Sequence, residues 1–143
     1  MKRNVLIAVF YLMIVSCSID KNSEDSTAYK VEWHLTNVSG GISGINQTFS
    51  MGTIIWTFYN TTGMISVDNK NEDVNKEDGL DHGNYEFSTT KIADKTFIII
   101  DTNEFGEITF PTENQFIIDK NCTSEGTGAD GFIYNFTKNL VKI

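Results

Sequence analysis

From residue 29 to the C-terminus, apolar and polar side chains alternate with a period of two in one short run after another. In the first run, Val31, Trp33 and Leu35 lie on one side and polar residues lie on the other. Successive side chains of a β-strand point to opposite faces, so this alternation predicts half-buried strands. Seven strands are predicted in this way, centred on residues 31–35, 53–59, 64–68, 85–89, 108–110, 116–118 and 132–136. The run over residues 96–100 is apolar on both faces and is predicted as a further strand, the fifth of eight in chain order.

The links between these strands are mostly short and contain Gly, Asn and Asp, which are turn residues. The single proline, Pro111, falls at the end of the sixth strand, where its missing N–H does not interrupt a central ladder. No part of the sequence has sustained helical periodicity. The sequence therefore predicts an all-β domain over residues 29–143. Consecutive hairpins without a long crossover favour an eight-stranded antiparallel up-and-down barrel over a sandwich of two sheets.

The N-terminus has a different composition. Lys2 and Arg3 precede an uncharged apolar run over residues 5–15, which Ser16 and Cys17 follow. A basic end, an apolar middle of about 7–15 residues and a small residue at the cut are typical of a secretory signal peptide. The run is also shorter than the roughly 20 residues that a membrane-spanning helix needs. We expect a signal peptide over residues 1–16.

The last four residues of this region, Ile14-Val15-Ser16-Cys17, resemble the lipobox of bacterial lipoproteins. The resemblance implies that Cys17 carries a diacylglyceryl group, becomes the first residue of the mature chain and anchors it to a membrane, because two or three acyl chains hold a protein stably. Ile19 is the only large apolar residue among residues 18–27, so we expect residues 17–28 to form a flexible tether that begins at the lipidated Cys17. Ser18 rather than Asp follows Cys17, which in such signals favours the outer membrane, on either its periplasmic or its surface face.

The charge of the chain argues against one class of partner. The formal net charge is -8, and it becomes -10 without residues 1–16, because that segment carries Lys2 and Arg3 and no acid. Arg3 is the only arginine, so the mature chain lacks the side chain that binds phosphates bidentately. We therefore expect no nucleic-acid partner.

Residues that usually carry catalysis or bind metals are few. His34 lies on the polar face of its strand and is expected to be exposed, and His82 lies in a loop beside Asp81. The acidic loop over residues 68–81 does not fit the calcium pattern of an EF-hand, because Asp78 stands where glycine is required. Once Cys17 is acylated, Cys122 is the one remaining cysteine, either a small residue at a strand end or a thiol available for an intermolecular disulfide. We expect no enzymatic activity, no metal site and no cofactor.

Aromatic side chains recur on the faces that are predicted to point inward. Each buries about 150–250 Å², so the set either fills the barrel as ordinary core or lines a cavity for an apolar molecule. The candidate ligand-lining residues are Trp33, Trp56, Phe58, Tyr85, Phe87, Phe132, Tyr134 and Phe136.

Three parts of the sequence resemble the lipocalin-like domains of bacterial lipoproteins: the opening strand over residues 31–41, the second strand with its lead-in over residues 44–58, and the closing strand from residue 129 to Phe136. The resemblance implies an eight-stranded calyx with a ligand cavity. Lipocalins proper carry glycine two residues before the first-strand tryptophan and pack an arginine against it. Here Val31 takes the place of that glycine and the mature chain has no arginine, so the resemblance is to the divergent lipocalin-like group.

Two functions follow from these observations. In the first, the barrel binds a small hydrophobic ligand close to the membrane. In the second, it is a non-enzymatic structural or interaction module with a solid core, whose loops contact an unidentified protein of the cell envelope.

Overall fold

A computed structural model describes residues 28–143 as β-strands joined by turns and loops. No helix among these residues is long and apolar enough to cross a membrane. The predicted signal peptide, Cys17 and all of the predicted tether except Ala28 lie outside the described residues. In chain order the strands are β1 (Tyr29–Gly40), β2 (Ile45–Thr48), β3 (Ile54–Tyr59), β4 (Met64–Asn69), β5 (Gly83–Ile92), β6 (Lys95–Ile100), β7 (Asn103–Thr112), β8 (Gln115–Asp119), β9 (Cys122–Thr123), β10 (Gly126–Thr127) and β11 (Phe132–Lys142).

Eight of these strands form a closed antiparallel barrel. The order around it is β11-β8-β7-β6-β5-β4-β3-β1, and β1 pairs with β11 from Tyr29–Lys142 to Gly40–Phe132, which closes the sheet. The short strand β2 pairs with the last part of β1, next to β3. Closure gives every barrel strand two neighbouring strands. The eight-stranded barrel predicted from the sequence is confirmed, and the alternative sandwich is wrong.

Each of the eight predicted runs coincides with a barrel strand, and only the run 53–59 extends beyond its strand, by the single residue Thr53. The segments that the sequence analysis missed are the short ones. Strand β2 lies in the glycine-containing link between the first two predicted strands, and β9 and β10 form a small separate hairpin in the polar stretch between β8 and β11. Segments of two to four residues are too short for an alternation to be distinguished from chance.

The interior is filled by one inward-facing cluster. Bulges adjust its spacing: the register of β1 shifts between Leu35 and Asn37, so that both Leu35 and Val38 are completely buried. Gly106 adjoins a similar shift in β7 and has φ +151°, and a Cβ there would lie 2.6 Å from the carbonyl oxygen of Asp119. Phe97 is also buried, but it is not part of this cluster. The fully buried side chains of the cluster are Leu35, Val38, Ile54, Trp56, Ile65, Val67, Ile98, Ile118, Tyr134 and Phe136.

The outer face of the barrel is partly covered as well. His34 points outward as predicted from the alternation, but the expectation that it is exposed is wrong, since only 5% of it is accessible. The link between β2 and β3 lies over this part of β1, where the Gly52 N–H donates to His34 Nδ1 at 2.8 Å and the Phe49 N–H donates to the Thr36 carbonyl at 3.0 Å. The cover could not be predicted because it comes from an irregular segment.

The two ends of the barrel differ in their connections. At what we call the open end, β1 begins, β11 ends, and the links 60–63, 93–94 and 113–114 have two to four residues each. At the opposite end, which we call the capped end, the links include the long segments 70–82 and 120–131. This difference in link length decides where the barrel interior can be reached.

Candidate functional site

A cavity of about 310 Å³ lies at the open end, between the inner faces of β1, β3, β5, β6, β7 and β8. We call it the aromatic pocket. The described residues that line it are apolar except for one amide and one hydroxyl side chain. They are Trp33, Phe58, Asn60, Phe87, Thr89, Ile98, Ile108, Phe110 and Phe116.

The floor of the aromatic pocket is continuous with the barrel core. Phe116 is buried, and its ring centroid lies 5.5 Å from that of Trp33 and 5.1 Å from that of Phe136. The Phe136 ring in turn lies 4.9 Å from Trp56. These separations are typical of favourable aromatic pairs. The pocket therefore ends on packed aromatic rings about halfway along the barrel.

The mouth of the aromatic pocket leaves aromatic surface in contact with water. Phe110 is 60% exposed, and its ring stacks on Phe116 at 5.3 Å. The Phe58 and Phe87 rings meet edge to face at 5.2 Å on the other side. Burying apolar surface contributes about 25 cal/mol per Å², so a ligand that covers these rings gains free energy from their desolvation.

A second opening leads to the same place through the barrel wall. β1 pairs with β3 at Trp33–Trp56 and His34–Ile55, and no pairs are recorded nearer the open end. A groove of about 400 Å³ lies there between the start of β1 and the end of β3. Trp33, Phe58 and Asn60 line both this groove and the aromatic pocket, so the two cavities are adjacent.

The capped end is closed by the segment 70–82. Leu80 packs against the core, and its carbonyl accepts a hydrogen bond from Asn69 Nδ2 at 3.0 Å. The Glu77 N–H donates to Gln47 Oε1 at 2.9 Å. Gly79 has φ +88° and lies so close to the core that a Cβ there would be 3.3 Å from the Tyr134 ring. The segment therefore acts as a plug whose polar groups have partners and whose glycine permits close packing.

One buried hydrogen bond fixes this plug to the barrel. The Tyr134 hydroxyl donates to Glu77 Oε1 at 2.6 Å, and the Tyr134 side chain is completely buried. Burial raises the pKa of the Tyr134 hydroxyl far above its usual value, and the hydrogen bond to Glu77 raises it further. The hydroxyl therefore remains a donor throughout the neutral range.

A larger cavity of about 520 Å³ lies on the outside of the capped end. It lies between the β1–β2 turn and the plug, and its lining mixes glycines with charged side chains such as Lys76, Glu77 and Asp130. At its rim, Ile42 is 89% exposed and Val74 is 95% exposed. Its polar, loop-built lining differs from the strand-built wall of the aromatic pocket.

The structure divides the eight candidate ligand-lining residues between the two ends of the barrel. Trp33, Phe58 and Phe87 line the aromatic pocket. The other five lie elsewhere: Trp56, Tyr134 and Phe136 are core, Tyr85 is a half-buried inner-face residue that donates to the Asp81 carbonyl at 2.9 Å, and Phe132 lines the cavity outside the capped end.

The remaining lining residues, apart from Asn60 in the turn after β3, were predicted from the sequence as strand residues but not as part of a site. Ile108 and Phe110 lie on β7, Phe116 lies on β8, and Ile98 and Thr89 lie on the neighbouring strands β6 and β5. Their side chains point to the inner face of the barrel, as those of the buried core do, but they lie closer to the open end. The alternation in a sequence shows which side chains of a strand share a face, but it does not show where the plug lies.

Polar residues considered for chemistry lie away from the aromatic pocket. His82 is exposed, with Nδ1 3.4 Å from Asp68 Oδ1. The half-buried Cys122 thiol lies 3.8 Å from Asp119 Oδ2, and burial, together with Glu107 and Asp119, raises its pKa and keeps it protonated. Within residues 28–143, no three His, Cys, Asp or Glu side chains are grouped so that they could hold a metal ion.

Comparison with known proteins found no matching family model, no matching curated protein and no matching solved structure.

Proposed function

We propose that this chain is a lipid-anchored protein of the bacterial outer membrane that binds a small hydrophobic ligand in the aromatic pocket. The observation that carries the proposal is the asymmetry of the barrel. One end is filled by packed rings and a plug, while the other leaves a ring-lined cavity open to its surroundings. Ligand pockets are typically concave, mostly apolar and supplied with a few polar groups that fix orientation.

The lining indicates the chemistry of the ligand. A volume of about 310 Å³ is at the small end of the range for ligand pockets. The lining carries no ionic side chain that could neutralise a buried charge, so the part of the ligand inside the pocket is uncharged. Asn60 and Thr89 can form hydrogen bonds to a polar group at the mouth. A short acyl chain or a compact ring system with one polar end meets these requirements.

The same lining supports binding rather than catalysis. An acid–base or nucleophilic reaction needs a nucleophile with a base within hydrogen-bond reach. Thr89 supplies the one hydroxyl of the lining, and no histidine, carboxylate, amine or thiol stands beside it there. We therefore propose that the pocket holds its ligand unchanged.

Two experiments test the ligand proposal. Mass spectrometry of an organic extract of the protein purified from its native host should detect an apolar compound in a stoichiometric amount. In addition, purified protein should bind the neutral fluorescent probe N-phenyl-1-naphthylamine. Substituting Thr89→Phe fills the pocket and should weaken probe binding by about tenfold or more, since each tenfold corresponds to roughly 1.4 kcal/mol of lost contact.

The matched control is Ser88→Phe, which adds the same ring to the exposed outer face of the same strand and should leave probe binding unchanged. Both variants should keep the unfolding temperature of the parent to within a few degrees. A native extract free of any apolar compound, together with equal probe binding by the two variants, would refute a function for the pocket.

A second candidate function rests on the cavity outside the capped end. Ile42 and Val74 are almost fully exposed beside acidic side chains, and exposed apolar groups with a polar rim are common at protein contacts. In this alternative the barrel is a structural or interaction module, and the partner is an unidentified envelope protein. A pull-down in which Ile42→Asp loses a specific partner that the parent retains would favour it.

A further inference from the structure

Exposed apolar side chains are concentrated at the open end of the barrel. Seven of the ten large apolar residues that are exposed among residues 28–143 lie there, on the starts and ends of β1, β3, β5, β7 and β11. We call these seven the apolar rim. They are Tyr29, Val31, Tyr59, Ile92, Phe110, Leu140 and Ile143, and they are between 37% and 75% exposed.

Negative charge, by contrast, is concentrated away from the open end. The open end is close to neutral, because it carries five lysines and three acids: Lys30, Lys91, Lys95, Lys138 and Lys142 with Glu32, Asp94 and Glu113. The rest of the described barrel carries the other three lysines and thirteen acids. An anionic membrane surface repels an acidic surface and attracts lysines placed around an apolar one. The open end is therefore the part of the barrel best suited to lie against lipid.

The chain also enters the barrel at this end. β1 starts at Tyr29, within the apolar rim, and the eleven residues 18–28 separate it from Cys17. Fully extended, they reach at most about 40 Å, at roughly 3.3–3.6 Å per residue. If Cys17 is acylated, the rim is held close to the bilayer at a high effective concentration, so even a weak apolar contact is populated.

We propose that the apolar rim docks on the lipid bilayer, so that the aromatic pocket and the β1–β3 groove open towards the membrane. The proposal rests on the lipid anchor of the proposed function but not on ligand binding. The tyrosines of the rim and the lysines of the open end then lie at the level of the lipid headgroups, where amphipathic side chains are favoured. The pocket then receives its ligand from the bilayer, and the ligand class is a lipid with an acyl chain.

Lysine labelling tests the docked orientation. The lipidated full-length protein is reconstituted in vesicles of phosphatidylethanolamine and phosphatidylglycerol and treated with an amine-acylating reagent. The labelling rates of Lys91 and Lys142 at the open end are compared with that of Lys70 at the capped end. The docked orientation predicts that Lys91 and Lys142 react several-fold more slowly, relative to Lys70, than in an Ile92→Asp/Leu140→Asp double variant.

Ile92 and Leu140 were chosen because they line neither the aromatic pocket nor the groove. Probe binding by the double variant should therefore equal that of the parent, which separates failure of docking from failure of the ligand site. The matched control, Ile42→Asp/Val74→Asp, places the same charges on exposed residues at the capped end and should retain the slow labelling of the parent.

Two results would overturn docking. One is equal relative labelling of the open-end lysines in the parent, the rim variant and the control, which describes a barrel standing free on its tether. The other is slow labelling that disappears when the protein is diluted in the same vesicles, which identifies a second copy of this chain rather than lipid as the cover of the rim.

Discussion

The capped end and the open end use similar aromatic residues to different effect. Towards the capped end, Trp56 and Tyr134 are completely buried, and Gly79 of the thirteen-residue link 70–82 lies against both rings. At the open end, Trp33 and Phe110 keep accessible surface, because links of two to four residues cannot reach across the barrel. The comparison teaches that closure of a barrel end depends on the length and chemistry of one link rather than on the number of apolar side chains beneath it.

The plug also shows what an acidic loop needs in order to cover a core. Its polar groups bond to the barrel and to each other, including Asn71 Nδ2 to Asp78 Oδ2 at 2.8 Å and Tyr134 to Glu77 at 2.6 Å. A buried polar group without a partner costs about 1–3 kcal/mol. The segment can thus be polar in composition and still form part of the folded domain.

The largest expected difference between the ends is in the two tryptophans. Trp56→Ala removes a completely buried ring and should lower the free energy of unfolding by about 3–5 kcal/mol. Trp33→Ala removes a half-buried ring at the pocket and should cost about half as much or less, because less apolar area returns to water. Urea unfolding of both variants measures this. Equal losses would show that the open end is as tightly packed as the capped one.

The next largest effect concerns the attachment of the plug. Tyr134→Phe removes the donor to Glu77 and should destabilise the protein by about 1.5–3 kcal/mol, the usual contribution of a hydrogen bond to a charged group. The matched change Tyr85→Phe removes a solvent-accessible bond to the Asp81 carbonyl and should cost less than about 1 kcal/mol. Chemical denaturation ranks the two. A Tyr134→Phe variant as stable as the parent would mean that the plug is held by packing alone.

The smallest effect is an alkaline loss of stability. The folded protein keeps Tyr134 protonated well above the usual tyrosine pKa of 10.0, whereas the unfolded chain releases this proton near that value. Because the unfolded state then binds fewer protons, the stability from Tyr134 is complete below about pH 10 and declines as the pH rises further. Unfolding temperatures measured above pH 10 should fall more steeply for the parent than for Tyr134→Phe. Parallel curves would contradict the buried, plug-bound hydroxyl.

The strands and the closed barrel could be predicted because alternation is a local property. In the run from Thr53 to Tyr59, the alternation alone shows which residues point inward. The fifth predicted strand is apolar on both faces because Phe97 is buried on the outer face of the barrel and Ile98 is buried on the inner face. The lengths of the links between the strands could also be predicted from the sequence. What the sequence could not provide was which inward side chains the links would cover. Trp33 and Trp56 are direct partners across β1 and β3, yet Trp33 lines the pocket while Trp56 is packed beneath Gly79 of the plug.

The site was accordingly only partly predictable. The alternation identified Trp33, Phe58 and Phe87 as inward-facing aromatic residues, but it also selected inward-facing residues that lie beneath the plug. The burial of His34 escaped prediction for a related reason, since its cover is the irregular link that contributes Gly52. Long-range contacts made by loops carry no periodic signal in a sequence.

The most direct test of the difference between the ends is a backbone NMR titration of the protein with N-phenyl-1-naphthylamine. The account predicts that amide shifts change along the open-end wall, at Phe87, Thr89, Ile98 and Ile108, and stay constant around Tyr134 and in the plug. Shift changes centred on the capped-end cavity near Phe132 and Lys76, or no localised changes at a saturating probe concentration, would contradict it.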